Sequence, residues 1–229
     1  MHSRTKEPAP GEPLQVEGVE LPLSTRLDGD VGRGPLLVLG HGAGAGIDHP
    51  TMKSLSAAFV AAGLTVLRYQ FPFMERQGGK GFGRDAPAIA CATVRAACAR
   101  GVELAGGRPV LAGGHSYGGR MTTLTASAKP IAGVDGIVCL SFPLHAAKKP
   151  SSERAEHLAS VEAPLLFVSG ARDALADGPL LEEVVAALPA ARLERIGGAD
   201  HGWKAPRRCW PEGPFHEIAA RVARWAPRA

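Results

Sequence analysis

Short apolar runs recur along the chain, and stretches with helical spacing lie between them. Residues 36–39 (Leu-Leu-Val-Leu) form the first run. Residues 64–69, 109–112, 136–142, 165–169 and 192–196 follow as strand-like segments. Between them, 51–62 sets Leu55, Phe59 and Ala62 on one helical face, and Gly63 stops it. Residues 87 to about 101 read as an alanine-rich helix with proline in its first turn. Residues 120–128, 152–158, 180–188 and 215–225 read as further helices, and 71–85 as a long loop. Runs that are apolar throughout, rather than alternating, belong to strands buried on both faces. The pattern therefore predicts an α/β fold: a mainly parallel central sheet with helices on both faces. Residues 16–25 are expected to add one or two antiparallel edge strands. Residues 1–13, with three prolines and no apolar core, are expected to be a flexible tail, and 14–229 a single domain.

In such sheets functional residues collect on loops at the carboxyl ends of strands. Four loops stand out. The run at 36–39 leads into Gly40-His41-Gly42-Ala43-Gly44-Ala45-Gly46, and 109–112 into Gly113-Gly114-His115-Ser116-Tyr117-Gly118-Gly119. The run at 165–169 leads into Gly170-Ala171-Arg172-Asp173, and 192–196 into Gly197-Gly198-Ala199-Asp200-His201-Gly202. In a chain with 29 glycines a Gly-x-Ser-x-Gly match says little by itself. Ser, Asp and His in that order, each just past a predicted strand, say much more.

The residue types fit one chemistry. A serine hydroxyl is a poor nucleophile until a base takes its proton. Ser116 is the candidate nucleophile and His201 the candidate base. Asp173 would hold the imidazole in the correct tautomer, with Asp177, deeper in the same loop, as the alternative. The turn at Ser116 calls for Gly114 and Gly118, where a β-carbon would collide with neighbouring elements. The amides of Ala43 and Tyr117 are the expected oxyanion donors. Phe71, Phe73, Met74 and Phe142 are expected to wall the substrate pocket. His115 is expected to face away from the site, His41 to order its loop, and Asp200 to act as a turn residue.

Composition removes other classes. A net charge of +4 comes from scattered basic residues, and aromatics make up only 5% of the chain, so no nucleic-acid partner is expected. No apolar run reaches the 18 or so residues of a membrane helix, so no membrane partner is expected. Cys91, Cys98, Cys139 and Cys209 show no paired-ligand spacing, which leaves no expected metal and suits a reducing cytoplasm. Cys91 and Cys98, seven apart, suit two buried thiols on one helix face. Gly40-x-Gly42-x-x-Ala45 loosely fits a dinucleotide fingerprint, but the next strand ends at Tyr69-Gln70 with no acid for a ribose. Gly79-Lys80 lacks the remainder of a phosphate loop.

Beyond its tail, the chain resembles the small α/β-hydrolases of the dienelactone-hydrolase-like group. Arg68-Tyr69-Gln70-Phe71-Pro72-Phe73, Ser141-Phe142-Pro143-Leu144-His145 and Ala199-Asp200-His201-Gly202-Trp203-Lys204 narrow the likeness. They point to the branch that includes a testis-expressed protein and the hydrolase-like domain of a subunit of the non-specific lethal histone-acetyltransferase complex. Dienelactone hydrolases carry a cysteine nucleophile; here that position is Ser116. The resemblance implies an esterase-type site; with the residues above, a serine hydrolase that takes a small-molecule ester or thioester without a cofactor is expected. The alternative is a non-catalytic interaction module on the same fold. Residues 143–163 leave room for one short helix and no cap.

Overall fold

The computed structural model describes residues 11–227. Seven strands carry the core: β1 (Thr25–Asp28), β2 (Leu36–Gly40), β3 (Thr65–Tyr69), β4 (Val110–His115), β5 (Gly136–Leu140), β6 (Leu165–Gly170) and β7 (Ala191–Ile196). They form one sheet in the order β1-β3-β2-β4-β5-β6-β7, parallel except for β1, which runs antiparallel to β3. The strands β2 to β6 are buried along their whole length, which is why their sequences are apolar throughout rather than alternating. Side chains of β2 still divide by the two-residue period. Leu37 and Leu39 join one core cluster, and Leu36 and Val38 join the other.

Helices cover both faces: α1 (Pro50–Ala61) and α6 (Phe215–Trp225) pack together over the first. The second is covered by α3 (Pro87–Ala105), α4 (Tyr117–Ala128), a 3₁₀ helix (Glu153–Ser160) and α5 (Gly178–Ala186). No helix among the described residues is long and apolar enough to cross a membrane.

Several elements differ from the sequence reading. The edge strand falls at 25–28 instead of within 16–25, where Leu23 forms only an isolated bridge, to Leu14. Residues 1–10 of the expected tail lie outside the described residues. Residues 11 and 12 are held: Gly11 N donates to Thr25 O at 3.2 Å, Thr25 Oγ1 donates to Glu12 O at 2.8 Å, and Glu12 pairs with Arg100. The expected loop 71–85 contains a short helix, α2 (Pro72–Arg76), started by Pro72 and buttressed by Asp85 Oδ2, which accepts from Phe73 N at 3.1 Å. The helix α3 runs past Gly101 because that residue lies against Val38, where a β-carbon would come within 2.3 Å of Cγ2. It ends at Gly106, whose φ of 57° is left-handed. Of the two thiols expected to be buried, Cys98 is buried and Cys91 only half-buried. Burial pushes the Cys98 thiol up to about 12.

Candidate active site

Ser116 is the single residue between β4 and α4, with φ 52° and ψ −110°. An L-residue seldom adopts such angles, and it holds them only where neighbours over-determine the turn. Here the backbone does so. Ser116 N donates to Leu140 O at 2.8 Å, and Ser116 O accepts the first helical bond of α4 from Arg120 N at 3.1 Å. A β-carbon on Gly114 would lie 2.5 Å from Gly40 O, and one on Gly118 2.5 Å from Gly40 C. The end of β2 and the start of α4 thus touch main chain to main chain. The Ser116 side chain caps nothing and is left to face the loop after β7.

That loop brings His201 to it. His201 Nε2 lies 2.8 Å from Ser116 Oγ and accepts its hydrogen bond, while Nδ1 donates to both oxygens of Asp173 at 2.9 Å. Asp173 follows β6, is buried, and has its Oδ1 fixed by Leu175 N at 2.8 Å. Asp177, the alternative, is turned to other work. Its carboxylate caps α5 by accepting from Leu180 N at 3.1 Å, and its own N–H donates to His145 Nε2 at 2.8 Å. Asp200 Oδ1 accepts from Gly202 N and Lys204 N, both at 2.9 Å, which makes it the expected turn residue. Ser116, His201 and Asp173 therefore stand in one hydrogen-bonded line, contributed by three different strand ends.

A family model for an alpha/beta hydrolase domain matches residues 33–224, nearly the whole described chain. The chain belongs to that family. Solved structures agree on the fold. A dienelactone hydrolase from Anabaena variabilis is 19% identical, with a TM-score of 0.68, covering 94% of this chain and 96% of that one. Est1E from Butyrivibrio proteoclasticus is 14% identical, with a TM-score of 0.71 and coverage of 95% and 97%. An α/β serine hydrolase without lid from Xanthomonas campestris is 18% identical, with a TM-score of 0.68 and coverage of 98% and 97%.

In this α/β-hydrolase Ser116 and His201 open onto a cavity of about 370 Å³. Ala43 and Tyr117 both line it, and their amides donate to no protein acceptor among the described residues. His41 builds the loop that carries Ala43. Its Nδ1 donates to Gly42 O at 2.8 Å, and its Nε2 accepts from Phe71 N at 3.0 Å. Among the described residues, no group of three His, Cys, Asp or Glu side chains is placed to hold a metal.

The aromatic wall expected from sequence is elsewhere. Phe71, Phe73, Met74 and Phe142 are buried in the core, and none lines the cavity. The coil of α2 turns Phe73 and Met74 inward, where Phe73 meets Tyr117 edge-on at 5.7 Å. Phe142 packs edge-on against Phe167 at 5.6 Å. The apolar walls are Phe82, Pro143 and Leu175 instead.

His115 is also corrected. It lines the cavity, its ring lies 5.5 Å from that of His201, and its Nε2 donates to His201 O at 3.0 Å. Strand alternation would have sent the neighbour of Ser116 to the opposite face, but alternation fails where Ser116 leaves the extended conformation. Three arginines of the cavity, Arg84, Arg120 and Arg154, were missed entirely. One signal was available: Arg120 stands four residues after Ser116, the spacing that shares a helix face.

Burial pulls His41 and His115 down to about 4, with the neighbouring His201 adding to the effect at His115. Unfolded, each takes a proton near 6.5. Their contribution to stability is therefore complete above about pH 6.5 and is lost as pH falls toward 4, by roughly 3 kcal/mol for each ring. Urea midpoints should drop steeply between pH 6.5 and 4.5. A flat profile would mean that both rings accept protons inside the folded chain.

Proposed function

We propose that this α/β-hydrolase is a serine hydrolase that cleaves small esters or thioesters through an acyl-enzyme. The observation that carries the reading is the unbroken line from Ser116 Oγ through His201 to Asp173. Ser116 Oγ bonds to the acyl carbon as its proton passes to His201 Nε2. Asp173 holds the ring and stabilises the imidazolium that results. The oxyanion takes the amides of Ala43 and Tyr117, which point charge-stabilising donors at the cavity without prior commitments. The C–O or C–S bond then breaks as His201 returns the proton to the leaving group. Water gives a proton to His201 and attacks the acyl carbon, and the acid departs as Ser116 regains its hydrogen.

The motifs at 68–73, 141–145 and 199–204 support placement in the branch with the testis-expressed protein and the non-specific lethal complex subunit. Two of them carry structural duties that explain their residues. Buried Arg68 pairs with Asp28 of the antiparallel strand at 2.8 Å. His145 positions the loop from β6 to α5 through Asp177 N.

Substrate size follows from the open site. Between β5 and β6 there is only the 3₁₀ helix, so no cap shields a long acyl chain. Each buried methylene contributes about 0.8 kcal/mol until the apolar wall ends, so kcat/KM should rise to about four to six acyl carbons and then level off. The wall that ends it is Phe82, Pro143 and Leu175. The test combines fluorophosphonate labelling, read by peptide mass spectrometry, with a p-nitrophenyl ester series from acetate to palmitate below the micelle threshold. Labelling should fall on Ser116. A folded protein that stays unlabelled would establish the non-catalytic module instead, and a steady rise to the longest soluble ester would refute the capless pocket.

A further inference from the structure

The charge of the cavity is one-sided. Arg84, Arg120 and Arg154 line it, and no aspartate or glutamate does. Elsewhere in the fold arginines find carboxylates: Arg68 with Asp28, Arg76 with Asp85, Arg221 with Glu194. None of the three cavity arginines is in an ion pair among the described residues. Asp85, next to Arg84, is already engaged by Arg76 at 2.8 Å and by Phe73 N at 3.1 Å, and Glu153, next to Arg154, is exposed and does not line the cavity. Asp173 is held on His201.

Arg120 is the centre of the group. It sits one turn past Ser116 on α4, and its Nε is buried with no hydrogen-bond partner. Burial lowers its pKa first, and the charges of Arg154 and Arg84 lower it further. Its charge is also felt at His157, which burial and then Arg120 hold down to about 4. Arg154 makes one long contact, from Nη1 to Pro143 O at 3.4 Å. The side chains of Arg84 and Arg120 make no hydrogen bond among the described residues. Three like charges converging on one partly desolvated cavity, with a buried donor left open, disfavour the empty site. An incoming oxyanion reverses each of those terms at once, because guanidinium forks match carboxylate and phosphate oxygens. A neutral ester reverses none of them.

We infer that the substrate of this site carries an oxyanionic group, carboxylate or phosphate, which Arg120 grips with Arg84 and Arg154 while the scissile carbonyl lies over Ser116. The inference rests on the proposed role of Ser116 and extends it to a substrate class. The same chemistry could enter on the acyl side or on the leaving-group side of the scissile bond.

Two matched pairs of substrates separate those sources. One pair is p-nitrophenyl butyrate against p-nitrophenyl hemisuccinate, with a carboxylate on the acyl side. The other is butyryl-N-acetylcysteamine against butyryl-coenzyme A, with phosphates on the leaving side. In one pair or the other, kcat/KM for the anionic member should exceed that of its neutral partner by at least about tenfold. The ratio should collapse toward one in Arg120→Gln. Arg120 is half-buried, so the exposed Arg84→Gln and the half-buried Arg154→Gln provide independent variants. The exposed Arg192→Gln should keep the ratio. Binding gives a second readout: the anionic probe should raise the Tm of Ser116→Ala, and adding Arg120→Gln should abolish the rise. Neutral esters cleaved in a Ser116-dependent way, with ratios near one and no Tm rise, would overturn the inference and leave the nucleophile standing. A Tm rise that depends on Arg120, in a chain that cleaves no ester, would keep the anion site and overturn the hydrolase reading.

Discussion

Ser116→Ala is expected to lower p-nitrophenyl acetate turnover by roughly 10³- to 10⁶-fold with little change in Tm. The Oγ makes its hydrogen bond to His201 and none to the fold, so its removal takes away chemistry and not structure. What survives is the acceleration due to binding and the oxyanion donors alone. Ser116→Gly gives a useful contrast. It should be equally inactive, yet more stable than the alanine variant by about 1 kcal/mol, because glycine adopts the φ of 52° without strain. The two variants together separate the cost of the turn from the work of the hydroxyl. Comparable turnover by purified, folded Ser116→Ala would remove the assignment of the nucleophile.

The second large effect discriminates between two aspartates in one loop. Asp173→Asn should cost about 10⁴-fold in kcat. An amide presents its NH₂ to His201 Nδ1, or forces the ring into the tautomer that presents a hydrogen to Ser116 instead of a lone pair. Asp177→Asn should cost little in rate or stability, because asparagine caps a helix about as well as aspartate and the Asp177 carboxylate bonds only to Leu180 N. Steady-state kinetics on both variants, with circular dichroism to verify folding, gives the ranking. If Asp177→Asn proved the crippled enzyme, the triad would have to be redrawn.

The central sheet was legible because β2 to β6 are buried on both faces, and burial leaves a continuous apolar signature. Ser116 and Asp173 were legible because they come just past such strands; His201 follows β7, which is only partly buried, and was legible from its glycine-rich loop. Legibility failed where position depends on what the chain meets in space. The edge strand β1 reads Thr-Arg-Leu-Asp; two of its four residues are charged, and Asp28 is there to meet Arg68, forty residues away. Phe71, Phe73 and Phe142 lie near the site in sequence, but the short helix α2 and the contact with Phe167 carry them into the core. His115 was misjudged because the strand alternation it seemed to obey stops at the next residue. Arg84 comes from the loop before α3 and Arg154 from the 3₁₀ helix, and nothing local announces that they converge on Arg120.

The contact of Gly40 with Gly114 and Gly118 leaves no side chain in the joint between the serine turn and the loop that carries Ala43. Such a joint has no χ angles to wander and no rotamers to exchange. The distance from Ser116 to the amides of Ala43 and Tyr117 is set as if by a machined surface, and the rest of the cavity is bolted on around it. Phe82, Arg84, Arg154 and Leu175 stand on other segments and share no atoms with that joint. Drift at those positions re-tools what the cavity grips while the Ser116 joint stays in register. A descendant of this chain can therefore reshape the cavity by a few substitutions without disturbing the turn that holds Ser116.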